Sequence, residues 1–296
     1  MRMIASAAAL AFALSLDPAA LAQQPQRADS PTITVTGVRD VEKEAREFVA
    51  AMTPAAIDGN VARFETNVCP RVIGAAPDQA AAMERRLRIV AKAAGLRPGK
   101  DGCSPNALMI VTADKRALIQ ALQRRGDYFG ELITPPQIRR LIRDPGPTAY
   151  WRLDGFVTAF GIPYSTNQGE PLDNQQNNSR ASRISTGTRR AVDGAILIVE
   201  ARALDGLTTT QLADYGAMRL YGSADPAELT GSAPTILKIL TTEMGAEVPI
   251  TMTRWDLSFL RGLYASSESL RAPAQRSEIR RRLLRELNGS EEGTRQ

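Results

Sequence analysis

The sequence predicts an α+β fold of mixed α/β layers, with helices packed on a small mixed sheet. Three observations lead there. Residues 61–125 alternate short apolar runs with amphipathic helical stretches, as strand, helix, strand, helix. Residues 194–203 (GAILIVEARA) read as a strand whose aliphatic half must be buried. Hydrophobic residues make up 43% of the chain, enough to build a core rather than stay unfolded.

In chain order, residues 33–36 (ITVT) read as a short strand. Val38 to Met52 follows helical spacing and stops before Pro54. Residues 61–73 read as an interrupted strand. A helix capped by Asp78 then runs to Ala94 and closes at Gly95, with Glu84, Arg85, Arg86 and Arg88 facing water. Residues 107–112 (ALMIVT) form a buried strand, Asp114–Arg125 a helix, and residues 134–143 a short helix opened by Thr134 and Pro135. Asp144-Pro145-Gly146-Pro147 is the strongest internal break. It divides the chain into either one large domain or two subdomains, 33–145 and 146–288. Beyond it, residues 149–160 alternate as a strand, and residues 161–180 are an Asn- and Gln-rich excursion, read as a hairpin tip or a ligand-binding loop. Thr208 and Gln211 form a capping box for a helix to Leu220 ended by Gly222. A shorter helix follows at 233–240. Thr253 and Asp256 cap 254–264, and a last helix spans Pro273 to about Asn288, leaving 289–296 as a disordered tail.

The N-terminus reads as a secretory signal peptide over residues 1–22. Met1-Arg2 is a short basic region, residues 3–16 are apolar, and Ala20-Leu21-Ala22 fits the small-x-small cleavage rule. Fourteen apolar residues fall short of the roughly 20 that a bilayer helix needs. The expected mature chain starts at Gln23 with a flexible leader, 23–32, and no later stretch is apolar enough to span a membrane. The expected location is the periplasm or the exterior. There, Cys69 and Cys103 are expected to form a structural disulfide, since a redox pair would use C-x-x-C spacing. Net charge is +5, with part of the surplus at Arg271, Arg276, Arg280, Arg281, Arg282 and Arg285. That run lacks interleaved aromatics, so it fits a solvated helix face or weak attraction to an anionic envelope surface better than nucleic-acid binding.

Composition closes several chemistries. With no histidine, no Ser-His-Asp triad or Cys-His pair can exist, and the usual zinc ligand sets are depleted. Neither a G-x-x-x-x-G-K-[ST] loop nor a G-x-G-x-x-G fingerprint occurs. Carboxylate chemistry, or binding without catalysis, remains. Glu200, Asp205, Asp214 and Asp256 are the acids to weigh as an acid–base pair, against the alternatives of turn, cap and strand-face residues.

Four segments carry a resemblance: the strand 194–203; Leu207-Thr-Thr-Thr-Gln-Leu-Ala-Asp-Tyr-Gly-Ala-Met-Arg-Leu220; Pro234-Thr-Ile-Leu237; and Met252–Tyr264, with Thr253-x-x-Asp256-x-x-x-Leu260-x-x-Leu263-Tyr264. Together they resemble an uncharacterised family of secreted bacterial proteins whose C-terminal half is similar to zincin metallopeptidases. There, a strand leads into a helix bearing H-E-x-x-H. The resemblance places Thr210 and Asp214 at the two histidine positions and Gln211 at the general-base glutamate. It also implies that the cysteines pair. Threonine is a poor zinc ligand and glutamine cannot take a proton from water, so no metal and no cofactor is expected. The expected function is an exported, non-catalytic binding or accessory module for an envelope peptide, glycan or protein. A carboxylate-dependent hydrolase of envelope glycan or peptide is the alternative. The weak catalytic candidates are Glu200, Gln211 and Asp214.

Overall fold

The computed structural model describes residues 38–53, 59–126, 128–130, 132–158, 163–164, 188–222, 224–241 and 247–293. The signal peptide, the 23–32 leader, the 33–36 strand and nearly all of the 161–180 excursion lie outside the described residues. The fold is α+β, with helices packed on a small mixed sheet. The helices are α1 (Val38–Met52), α2 (Pro77–Ala94), α3 (Lys115–Arg125), α4 (Pro135–Arg143), α5 (Thr209–Gly222), α6 (Arg254–Ala265) and α7 (Ala272–Gly293). The strands are β1 (Pro70–Ile73), β2 (Ala107–Thr112), β3 (Thr148–Thr158), β4 (Pro163–Tyr164) and β5 (Thr188–Glu200), in sheet order β1-β2-β5-β3-β4. β1, β2 and β5 run parallel; β3 is antiparallel to β5, and β4 to β3.

The centre of the sheet explains the aliphatic run. On β5, Ala195, Leu197 and Val199 face a core shared with α1, α2, α5, α6 and α7, while Ile196 and Ile198 face a second cluster with Ile119, Ile138 and Trp151. Both faces are dry, so alternation disappears from the sequence. Each fully buried aliphatic side chain contributes roughly 1.5–3 kcal/mol. On the second face Trp151 stacks on Phe129 at 5.0 Å and donates its indole N–H to Tyr128 O at 2.8 Å, so its one polar atom is satisfied.

α5 sits where it touches everything. Every residue from Gln211 to Gly222 is buried. A Cβ on Gly216 would stand 2.9 Å from Met109 Sδ, so glycine there lets the helix approach β2. α2 packs alongside α5, and α6 and α7 close the layer behind. Arg63 Nη1 reaches the end of α6, donating to Leu263 O and, at 2.9 Å, to Ser266 O, which fills orphan carbonyls.

Several expectations change. The helix opened by Asp78 starts at Pro77 instead, with Ala76 before it and no side-chain cap. Proline lacks the N–H that the first helical position leaves unused, and Asp78 then favours the helix dipole from within the first turn. Gly95 closes α2 at φ 93° as expected. Residues 61–73 condense to β1 plus isolated bridges from Phe64 to Val192 and Val68 to Pro98. The 233–240 helix shortens to a 3-10 turn, Ile236–Leu240, because Thr235 Oγ1 caps Leu237 N–H and Asp256 takes the Ile236 N–H. α7 continues to Gly293, into the stretch read as a tail.

Residues 37–296 form one compact unit, and β2 from before the Asp144–Pro147 break pairs with β5 from after it. The break is a turn inside this unit. Lys115, buried at the start of α3, donates its ammonium protons to the carbonyls of Asp144, Gly146 and Thr148. Burial pulls the Lys115 pKa down, against opposition from Asp144 and Glu200.

Cys69 and Cys103 are bonded, with Cα atoms 6.0 Å apart. The bond fastens the start of β1 to the loop that leads into β2, where Asn106 Oδ1 also accepts the Cys69 N–H at 2.7 Å. The closed loop spans 34 residues. Replacing both cysteines with alanine is therefore expected to lower unfolding free energy by about 4 kcal/mol, measured by urea denaturation beside the oxidised wild type.

Candidate functional site

The three candidates from the sequence all lie at chain junctions, and each is fully engaged. Asp214 is the most completely buried, with no exposed surface. It projects from α5 toward α2, where Arg86 donates Nε to Oδ1 at 2.7 Å and Nη2 to Oδ2 at 3.0 Å. Thr251 Oγ1 and the Met252 N–H each donate to Oδ2 at 2.7 Å. Oδ2 thus takes three donors and Oδ1 one. The bidentate pair pushes Arg86 above its ordinary pKa, chiefly through the hydrogen bonds to Asp214 and against the cost of burial.

Arg86 was expected to face water. The charges at 84, 85, 86 and 88 cover most of the helix circumference at about 100° per residue, and only Arg85 lies opposite the buried stripe of Met83, Leu87, Val90 and Ala91. The others flank the stripe. Glu84 accepts the Val72 N–H at 2.9 Å, and Arg88 Nη1 donates to Gly99 O. The signal for an inward Arg86 was therefore its position beside the stripe, although its partner, 128 residues away, was not readable.

Gln211 completes the capping box, accepting Thr208 N–H at 3.0 Å, while its amide nitrogen donates to Pro249 O at 2.9 Å. Gln211 and Asp214 thus hold the same segment, 249–252, against α5. Thr210, one turn before Asp214, is exposed. The pair does not point at a common outside position, so these residues do not fit a zinc ion. Among the described residues no group of three His, Cys, Asp or Glu side chains could hold a metal.

Glu200 lies elsewhere, at the end of β5. It accepts the Lys115 N–H at 3.1 Å, capping α3 from outside, and Arg202 Nε at 2.8 Å. Burial raises its pKa, but the Lys115 N–H and Arg202 outweigh that and hold it below the ordinary carboxylate value. Asp256 is also fully buried and has four neutral donors: Thr235 Oγ1 at 2.5 Å, Ile236 N–H at 2.9 Å, and the N–H and hydroxyl of Thr253 at 2.9 and 2.8 Å. Burial pushes its pKa up, and these bonds oppose the rise. Asp205 is exposed before Gly206, whose φ of 79° marks the turn. Asp214 and Asp256 take successive backbone N–H groups, those of Met252 and Thr253, yet no two of these acids share a donor.

A cleft of about 310 Å³ opens beside this framework at the carboxyl ends of β1, β2 and β5. Gly74, Ala76 and Gln79 form one wall, and Leu207, Thr209 and Leu212 the other. No charged residue lines it. The crevice outside the strand ends is the usual ligand position in open parallel sheets. No known protein family, curated protein or solved structure matches the chain.

Two measurements follow. In a double-mutant cycle, Asp214→Ala is expected to cost about 3 kcal/mol, the low end for a broken buried pair because Arg86 is one-third exposed. The Arg86→Ala and double variants should show at least 1 kcal/mol of coupling in urea unfolding. Glu200 has a folded pKa below its unfolded value of about 4.3, so its contribution is present above that pH and is lost as pH falls through the folded value. Glu200→Gln should flatten that part of the stability–pH profile and leave the slope above pH ~6 unchanged.

Proposed function

We propose that this chain is an exported, non-catalytic binding module on a zincin-like scaffold. The observation that carries the reading is the engagement of Asp214. Both of its oxygens are committed to Arg86, Thr251 and Met252. A carboxylate in that state neither activates water nor holds a metal. The order β5, α5, α6 follows the strand, helix and Thr-x-x-Asp helix of the resemblance, with both capping boxes formed. The Cys69–Cys103 bond favours an oxidising compartment, and no helix among the described residues is long and apolar enough to cross a membrane.

The uncharged cleft at the strand ends suits a neutral portion of an envelope peptide or glycan. Its hydroxyls come from Thr208 and Thr209, and Thr208 Oγ1 already caps Gln211 N–H at 3.1 Å. No activated nucleophile stands there.

The test uses the mature protein, expected to begin at Gln23. Amide exchange is followed with disaccharide–peptide fragments of peptidoglycan and, separately, a casein digest. The expected result is slower exchange in Gly74–Gln79 and Thr208–Leu212 with one of these probes, and no new product by mass spectrometry. Chelator-sensitive cleavage, or cleavage abolished by Glu200→Gln, would replace this reading with an enzyme.

A further inference from the structure

α3 and α4 pack against each other and cover the second face of the sheet, burying Ile119 and Ile138. Their exposed positions are rich in arginine. Arg116, Arg124 and Arg125 on α3 and Arg139, Arg140 and Arg143 on α4 are all exposed. None has an acidic partner among the described residues. In α4 the division is complete: Ile138, Leu141 and Ile142 pack inward, and all three arginines lie opposite.

The nearby acids do not neutralise this face. Asp114 accepts Ala117 N–H as the α3 cap, and Asp144 accepts Gly146 N–H. Asp127 and Glu131 fall outside the described residues, and even with them counted there are six arginines against four acids. Six like charges on two adjacent short helices repel one another, so the arrangement favours an anionic partner.

We infer that the α3–α4 face docks on an anionic phospholipid surface. The observations favour a bilayer over a polyanionic chain. α3 and α4 contain no aromatic residue on which a base could stack. Leu132, three residues before α4, is 36% exposed, an apolar side chain suited to the headgroup boundary. Arg139, Arg140 and Arg143 lie within about 100° of rotation on α4, so they present guanidinium groups to neighbouring phosphates together, and guanidinium pairs with phosphate in bidentate fashion. Each basic side chain near an anionic bilayer strengthens partitioning about fivefold.

Vesicle co-sedimentation tests this. The full mature chain is mixed with phosphatidylcholine vesicles, with or without about 30 mol % phosphatidylglycerol. Binding is expected only with the anionic lipid, and should disappear near about 0.5 M salt, where charges are screened. Arg139→Gln/Arg140→Gln/Arg143→Gln should weaken binding about 100-fold while keeping the wild-type unfolding curve, since all three side chains are exposed. The control Arg85→Gln/Arg281→Gln/Arg285→Gln removes equal charge from other exposed positions and should change binding less than about threefold. No anionic-vesicle binding, or equal loss in both triple variants, overturns the inference. So does tighter binding to a single-stranded oligonucleotide than to vesicles, which would give the face to nucleic acid.

Discussion

The carboxylate of Asp214 sits inside a helix buried on all sides, and the neighbouring structure is arranged around that charge. An isolated carboxylate at such a depth would lose several kcal/mol of hydration. Arg86 supplies the countercharge from α2, and its fork permits only a narrow range of rotation between α2 and α5. Thr251 and Met252 add two further donors to Oδ2 and draw the approach to α6 onto the same point. One buried acid thereby relates two helices and the segment leading to a third. The next N–H along, that of Thr253, goes to Asp256, so the chain enters α6 between two buried carboxylates.

Three acids solve burial in three ways. Asp214 uses a cation and neutral donors together. Asp256 has neutral donors alone, and its pKa direction is upward because burial outweighs them. Glu200 combines a helix N–H with the Arg202 guanidinium, and its direction is downward. Each also accepts a backbone N–H at the entry to a helix or turn: Met252 and Thr253 before α6, Ile236 at the 3-10 turn, and Lys115 at the start of α3. These are capping and fastening roles, in which a proton gained or lost would loosen a junction.

What the sequence disclosed was mostly local. The β5 run, the Gly95 cap and the capping boxes at Thr208 and Thr253 depend on neighbours within a few residues, and each was legible. The disulfide was legible because two cysteines allow one pairing. Strand order was not, because nothing in 107–112 or 194–200 says that they pair in parallel while 148–158 turns back. The Asp144–Pro147 sequence was read as a possible domain boundary since proline and glycine punctuate a linker and a tight turn alike. The Lys115 ammonium makes it a turn, through contacts about 30 residues apart. Asp214 was found as a candidate, but its meaning depended on Arg86, which looked like one more solvated charge.

The same geometry sets a limit on what α5 can do under the zincin-like reading. A catalytic helix of that kind must aim two side chains one turn apart at a shared external point. Here the later position aims inward and is held by four donors, while the earlier one, Thr210, is exposed. Turning Asp214 outward would take the carboxylate from the half-buried Arg86 and the acceptor from the Met252 N–H, breaking the bonds that tie α2 and the approach to α6 to α5. The helix cannot fasten the approach to α6 and offer a ligand at the same residue. Under the proposed binding role, the surfaces this framework leaves open are the uncharged cleft at the strand ends, whose walls come from α2 and the start of α5, and the exposed arginines of α3 and α4 on the opposite side of the sheet. The Asp214–Arg86 pair fixes the first by setting the spacing of α2 and α5, and the second is independent of it, since α3 and α4 share none of its donors.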